Sequence, residues 1–258
     1  MIRFAANLSM MFTEWPFLDR FQAAADAGFG AVEYLFPYDF PAEAIQERLT
    51  KFRLMQAIFN LPPGDWPAGE RGLAALPDRF AEFKDSVAKA LHYAEATGVK
   101  SLHMMAGIAD RHDPIATAQY RQSALFAAEQ LATKGLTLLL EPINTRSMPG
   151  YFLNDFAFAE SFIRSSNMEN VKLQYDVFHR QILHGDVTAS FQRLLPIIGH
   201  VQIASVPDRH EPDQGEINCD HFLSHLQTLG YDGFVGCEYI PAGQTCDGLG
   251  WFLPYRKH

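Results

Sequence analysis

A single (β/α)8 barrel of the TIM type is the fold this sequence predicts, and three observations carry the prediction. Eight short apolar runs alternate with stretches of helical spacing, and eight units in 258 residues give about 32 residues per unit, a normal βα period for this barrel. The runs are apolar throughout instead of alternating, which is the pattern of parallel strands buried on both faces. No repeat, low-complexity stretch or linker divides the chain, so one domain over 1–258 is expected.

The elements follow in order. A strand over 4–8 leads to a helix over 17–27, which Gly28 ends; glycine takes up the left-handed conformation of a helix stop without a Cβ penalty. A strand over 31–36 and a helix over 42–52 come next, then a strand over 54–59 and a long helix over 78–96 stopped near Gly98. The strand over 101–105 feeds a helix over 116–133 closed by Gly135, and the strand over 136–140 a helix over 155–164. There Asn154 is the expected cap before Phe156, Phe158 and Phe162. Strands over 171–175, 200–203 and 234–237 complete the eight, with helices over 187–195 and 219–229, the latter ended by Gly230. Two segments break the regular scheme: 61–77 and 204–216 are long, charged and rich in Pro and Gly, and each follows a strand. Long βα loops lie at the C-terminal face of such barrels, where active sites are built, so these two predict a covered pocket.

Composition narrows the partners. With 21 Lys+Arg against 30 Asp+Glu the formal charge is -9, which opposes association with nucleic acid or an anionic membrane. Cys219, Cys237 and Cys246 are odd in number and lack metal-ligand spacing, so neither a disulfide framework nor a zinc ribbon is expected. The N-terminus has no apolar signal region and no run of about 18 apolar residues occurs, so a cytoplasmic protein is expected. The 21 phenylalanines and the Met10-Met11-Phe12 run point to core packing or a contact within a homo-oligomer.

The chemistry sits at the strand ends. Each of the last four strands ends on one acidic or amide residue after an apolar run: Glu141, Asp176, Gln202 and Glu238. Their separations of 35, 26 and 36 residues are close to one βα unit each, so a barrel brings all four to the same end of neighbouring strands. Three converging carboxylates repel one another unless a cation lies among them. Four oxygen ligands without Cys or His select a hard divalent ion, Mg²⁺ first and Mn²⁺ as the alternative.

Several segments, among them Asn60-Leu-Pro-Pro-Gly-Asp-Trp66, Ala68-Gly-Glu-Arg-Gly72, Glu141-Pro-Ile-Asn144, Pro149-Gly-Tyr-Phe152, His200-Val-Gln-Ile203, Arg209-His-Glu-Pro212 and Gly236-Cys-Glu-Tyr239, closely resemble the hydroxypyruvate isomerase family. That family belongs with the xylose-isomerase-like TIM barrels. The resemblance spans nearly the whole chain and implies a divalent metal and an aldose-ketose type isomerisation within glyoxylate metabolism. It places Glu141 and Glu238 as the acid/base pair and Glu141, Asp176, Gln202 and Glu238 as the metal shell. Sugar-epimerase relatives carry a His where this chain has Gln202. The implied reaction interconverts hydroxypyruvate and tartronate semialdehyde through an enediolate, with one glutamate taking the C3 proton and the other returning a proton to C2.

Other residues are candidates for holding that 2-oxo acid. His179 resembles the histidine that follows the metal Asp in sugar epimerases. A substrate carboxylate calls for an arginine, in the order Arg71, Arg209, Arg146. Asn7 and Asn60, ending strands one and three, are candidates for the pocket floor, Trp66 for a wall, and His200 for a structural role. Three competing readings remain: an isomerase of four-carbon 2-oxotetronate or a ketose 3-epimerase on the same scaffold, a phosphodiester hydrolase of the endonuclease IV type, and a non-catalytic ligand-binding barrel. The hydrolase wants many strand-end histidines and a basic face, and this chain offers carboxylates and a charge of -9.

Overall fold

The structure is a computed structural model and describes residues 2–256. Its strands are β1 (Arg3–Asn7), β2 (Ala31–Glu33), β3 (Met55–Gln56), β4 (Ile58–Asn60), β5 (Ser101–His103), β6 (Thr137–Leu140), β7 (Val171–Asp176), β8 (Ile198–Ile203) and β9 (Phe234–Cys237). They pair in parallel in the order β3-β2-β1-β9-β8-β7-β6-β5-β4. The two strands at the ends of that order are separated by Ala57 alone. Around it the Ala57 amide donates to the Val32 carbonyl at 2.8 Å and the Asn60 amide to the Leu35 carbonyl at 2.9 Å. The ring therefore closes through the 55–60 segment, and the nine short strands make the eight staves that the sequence predicts.

The helices are α1 (Phe17–Asp26), α2 (Ala42–Phe52), α3 (Phe80–Thr97), α4 (Pro114–Ala132), α5 (Phe156–Ser165), α6 (Val177–His184), α7 (Val187–Leu194) and α8 (Cys219–Thr228), followed by a 3-10 segment over Thr245–Tyr255. Among the described residues no helix is long and apolar enough to cross a membrane, and all three cysteines are free. Gly28, Gly98, Gly135 and Gly230 all take positive φ at the helix ends where they were expected. Two details differ from the sequence reading. The cap of α5 is Asp155, whose carboxylate accepts the Phe158 amide at 2.8 Å, while Asn154 donates to the Tyr151 carbonyl. Helix α6 is additional: Asp176 ends β7 and at once caps α6 by accepting the Phe178 amide at 2.7 Å.

Helix and strand faces meet over aromatic residues. Phe191 of α7 is fully buried and lies edge-on to Tyr175 of β7 at 5.5 Å and Phe222 of α8 at 5.4 Å. Burying each such ring contributes about 1.5–3 kcal/mol, so the layer between ring and helices dominates stability. Inside the ring, Ala5, Ala31 and Ala57 form a separate small apolar cluster. Asn7 and Glu33 lie two residues further along β1 and β2 and so share the faces of Ala5 and Ala31. Polar groups therefore begin one layer above the alanines and continue to the C-terminal ends of the strands.

Candidate active site

Strand register gathers the polar residues at that end. Asn7 pairs with Glu33, Asn60 with His103, Asp176 with Gln202, and Gln202 with Gly236, while Glu141 and Glu238 each follow their strand by one residue. All of these side-chain-bearing polar residues are buried. A cavity of about 140 Å³ lies among them, lined by Asn60, His103, Glu141, His179, Arg209 and Glu238, with Trp66 from the 61–77 loop and Met148 from the loop between β6 and α5 as walls. A larger groove of about 720 Å³ runs between α1 and the C-terminal 3-10 segment, but it holds none of the strand-end residues.

Arg209, in the loop after β8, is the cation at the centre. Its Nη2 donates to Glu238 Oε2 at 2.6 Å and to Asp176 Oδ2 at 3.2 Å, and its guanidinium lies over the Phe178 ring at 4.8 Å. Burial opposes its charge, yet Glu238, Asp176 and Glu141 outweigh that and hold it above the ordinary arginine range. Burial raises the Glu141 carboxyl well above its ordinary value, and Glu238 and Asp176 raise it further. Burial likewise pushes Glu238 up to about 8 against the pull of Arg209. Such shifts are what converging carboxylates without enough positive charge must undergo.

Glu141, Asp176 and His179 offer ligand atoms within 4.8 Å of one another. Glu141 Oε1 is buried and has no hydrogen-bond partner, an acceptor that a hard cation would satisfy. The donor chemistry of the site thus fits Mg²⁺ or Mn²⁺. The histidine of the trio is better placed as a donor. The Asn144 backbone amide, which can only donate, reaches His179 Nδ1 at 3.3 Å, and the Asn144 side-chain amide lies 2.7 Å from the same atom. Nδ1 therefore accepts, and the proton sits on Nε2, 3.6 Å from Asp176 Oδ2. Burial holds the ring neutral, with a pKa lowered to about 3.

The residues singled out from sequence separate into two groups. Glu141, Asn60, His179, Arg209 and Glu238 line the cavity, Asp176 bonds Arg209, and Asn7 donates to Glu238 Oε1 at 3.4 Å. Gln202 lies in register with Asp176, but its amide is engaged on both sides, donating to Glu33 at 2.9 Å and accepting from Gln174 at 2.7 Å. Arg71 stays outside the lining: it donates to the Trp66 and Glu70 carbonyls and stacks on the Trp66 ring at 3.9 Å. Arg146 is exposed on its loop. By sequence His103 can face either the barrel or the helix layer from its strand, and Gln174 and Glu33 carry no reading as site residues. His103 lines the cavity with Nε2 3.8 Å from Glu141 Oε2, and its burial lowers its pKa to about 3. Gln174 and Glu33 lie beneath, Glu33 accepting from His200 Nε2 at 2.8 Å. An acidic residue inside the apolar run at 31–36 was the available clue to Glu33.

Comparison with known proteins agrees with the fold. The family model described as xylose isomerase-like TIM barrel matches residues 21–255. The 2-oxo-tetronate isomerase of Cupriavidus necator is 51% identical over 257 residues, covering 99% of each chain. The hydroxypyruvate isomerase of Escherichia coli is 42% identical over 258 residues, covering 99% of this chain and all of its own. A crystal structure from Brucella melitensis, described as an AP endonuclease of family 2, superposes with a TM-score of 0.97 at 51% identity over the full length of both chains. The chain belongs to the xylose isomerase-like TIM barrel family, and its full-length relatives place it among that family's isomerases.

Proposed function

We propose that the chain moves a carbonyl between C2 and C3 of a short 2-oxo-3-hydroxy carboxylate. The favoured substrate is 2-oxotetronate, on which the 51%-identical relative is named, with hydroxypyruvate, the substrate in the name of the 42%-identical relative, as the three-carbon alternative. One observation carries the reading: Glu141 and Glu238, from strands with two others between them in the ring, line one small cavity together with Arg209. At about 140 Å³ that cavity is well below the roughly 300–1,000 Å³ of drug-sized pockets, and it suits an acid of a few carbons better than a hexose.

The residues divide the work as follows. Arg209 leaves Nε without a partner and is the cation in the lining, so it meets the substrate carboxylate. Arg71 backs the Trp66 wall from behind. His179 presents its Nε2 proton to a substrate oxygen, and Asn60 lines the floor. One glutamate removes the proton from C3 and the other delivers a proton to C2, while the hydroxyl proton on the C3 oxygen passes to the C2 oxygen, with Asn7 and Arg209 fixing the Glu238 oxygens. Glu141, Asp176, Gln202 and Glu238 would hold a divalent cation, which would supply Lewis acidity at the site. A phosphodiester hydrolase, which the name of the Brucella melitensis protein invites, calls for a surface that attracts a phosphate backbone. This chain carries a charge of -9 and a cavity lined by two glutamates.

The test is proton NMR in D₂O with the purified protein and Mg²⁺ or Mn²⁺, supplying 2-oxotetronate and hydroxypyruvate in parallel. Conversion of the four-carbon acid with solvent deuterium entering at C2 supports the proposal. Turnover of hydroxypyruvate alone moves the substrate to three carbons, and inertness of both acids ends the reading.

A further inference from the structure

Beneath the cavity lies a carboxylate that the reaction does not use. Glu33 ends β2 with no exposed surface, and an isolated buried carboxylate is strongly unfavourable. Three donors converge on it: Asn7 Nδ2 at 3.0 Å and Gln202 Nε2 at 2.9 Å share Oε1, and His200 Nε2 sits 2.8 Å from Oε2. The backbone makes room for it, because a Cβ at Gly236 would overlap its carboxylate. Two of the three donors are amides, which have a donor end and an acceptor end. An ionised carboxylate accepts only, so it decides which end of each amide faces it and which end is left for the cavity side. With its nitrogen held by Glu33, Gln202 turns its oxygen away from Glu33, where Gln174 reaches it at 2.7 Å, and Asn7 keeps an N–H near Glu238 Oε1 at 3.4 Å.

We propose that Glu33 is a positioning residue that sets the amide orientation of Gln202 and Asn7, so that Gln202 offers oxygen and not nitrogen to a divalent cation at the strand ends. This rests on the reading of the site as one that binds a cation through Glu141, Asp176, Gln202 and Glu238. Outer partners that orient metal ligands typically change affinity by about 10–100-fold when removed.

The test is isothermal titration of the full chain with Mn²⁺ alone, without substrate, comparing the parent with Glu33→Met and Glu33→Gln. The Met variant removes every acceptor. The Gln variant keeps one oxygen for Asn7 and Gln202 and turns its amide nitrogen to His200, which accepts in its other tautomer. The expected result is a Kd for Mn²⁺ about 10–100-fold weaker in Glu33→Met and within about threefold of the parent in Glu33→Gln. An unchanged affinity in a folded Glu33→Met overturns the inference while leaving the cation site intact. A parent that binds no Mn²⁺ overturns the site reading and this inference with it. Should Glu33→Met fail to fold, Gly236→Ala takes its place: it displaces the Glu33 carboxylate without removing any partner. Weakened Mn²⁺ binding there supports the proposal, and parental affinity refutes it.

Discussion

Replacing Arg209 by Met tests how the strand-end carboxylates are held. The guanidinium is the shared partner of Asp176 and Glu238 and lies near Glu141, so its loss leaves three acidic groups without their nearest positive charge. Removing one partner of a buried ion pair costs about 3–5 kcal/mol. The Arg209 side chain keeps 19% of its surface exposed, which places the cost at the lower end, near about 3 kcal/mol. At roughly 2–4 °C per kcal/mol for a chain of this size, the melting temperature in EDTA should fall by about 6–12 °C. With Mn²⁺ at a hundred times its dissociation constant, binding adds about 2.7 kcal/mol to a folded state that binds it. The variant should gain more from the ion than the parent, because no guanidinium competes for Asp176 and Glu238. Differential scanning calorimetry of both proteins, with EDTA and with Mn²⁺, reads all four values. A variant that melts with the parent in EDTA, or that gains no more from the ion than the parent, refutes the argument that Arg209 is the site's own counter-charge.

Three further outcomes follow from named contacts. Glu238→Gln should lower turnover by on the order of 10²–10⁴-fold while its melting temperature stays near the parent's, read by steady-state kinetics beside thermal unfolding. Asn218→Ala removes the side chain that accepts the His221 amide at 3.0 Å at the start of α8, and urea unfolding should show a loss of about 1 kcal/mol. Glu160 is partly buried, which raises its carboxyl, but bonds from Arg193 and Arg164 prevail and hold it below its ordinary value. A depressed carboxylate adds stability above its unfolded pKa of about 4.3 and loses it as pH falls through the folded value, so the parent's advantage over Glu160→Gln should be present at pH 6 and shrink below pH 4. An advantage that does not change with pH removes those ion pairs from the account.

What could be read from the sequence was what local pattern encodes. Glu141, Asp176, Gln202 and Glu238 each follow an apolar run, and the run sets the strand end, so one-dimensional spacing places them on one rim. The long loops were legible for the same reason, and they do supply Trp66 and Arg209 to the cavity. Helix α6 was hidden because Asp176 serves three purposes at one position: it ends β7, caps α6 through one carboxylate oxygen and bonds Arg209 through the other. A residue assigned to one task in sequence gives no notice of the second. Arg71 shows the opposite difficulty. Its type suits a carboxylate ligand, but a ring and two carbonyls within five residues engage it first, and sequence distance favours the near partner.

An acid inside an apolar run marks Glu33 in the sequence, but its partners lie beyond any local reading, and the physical reason bears on the site. Its partners His200 and Gln202 are 167 and 169 residues away. Only closure of the ring brings β2, β1 and β8 around one point. The acceptor that orients Gln202 therefore exists only once the barrel has closed, whereas the strand-end residues are set as soon as each strand forms. A change that loosens the ring near β2, such as a side chain at Gly236, should thus disturb Gln202 and Asn7 before it disturbs the core between strands and helices, where Phe191, Tyr175 and Phe222 pack independently of Glu33.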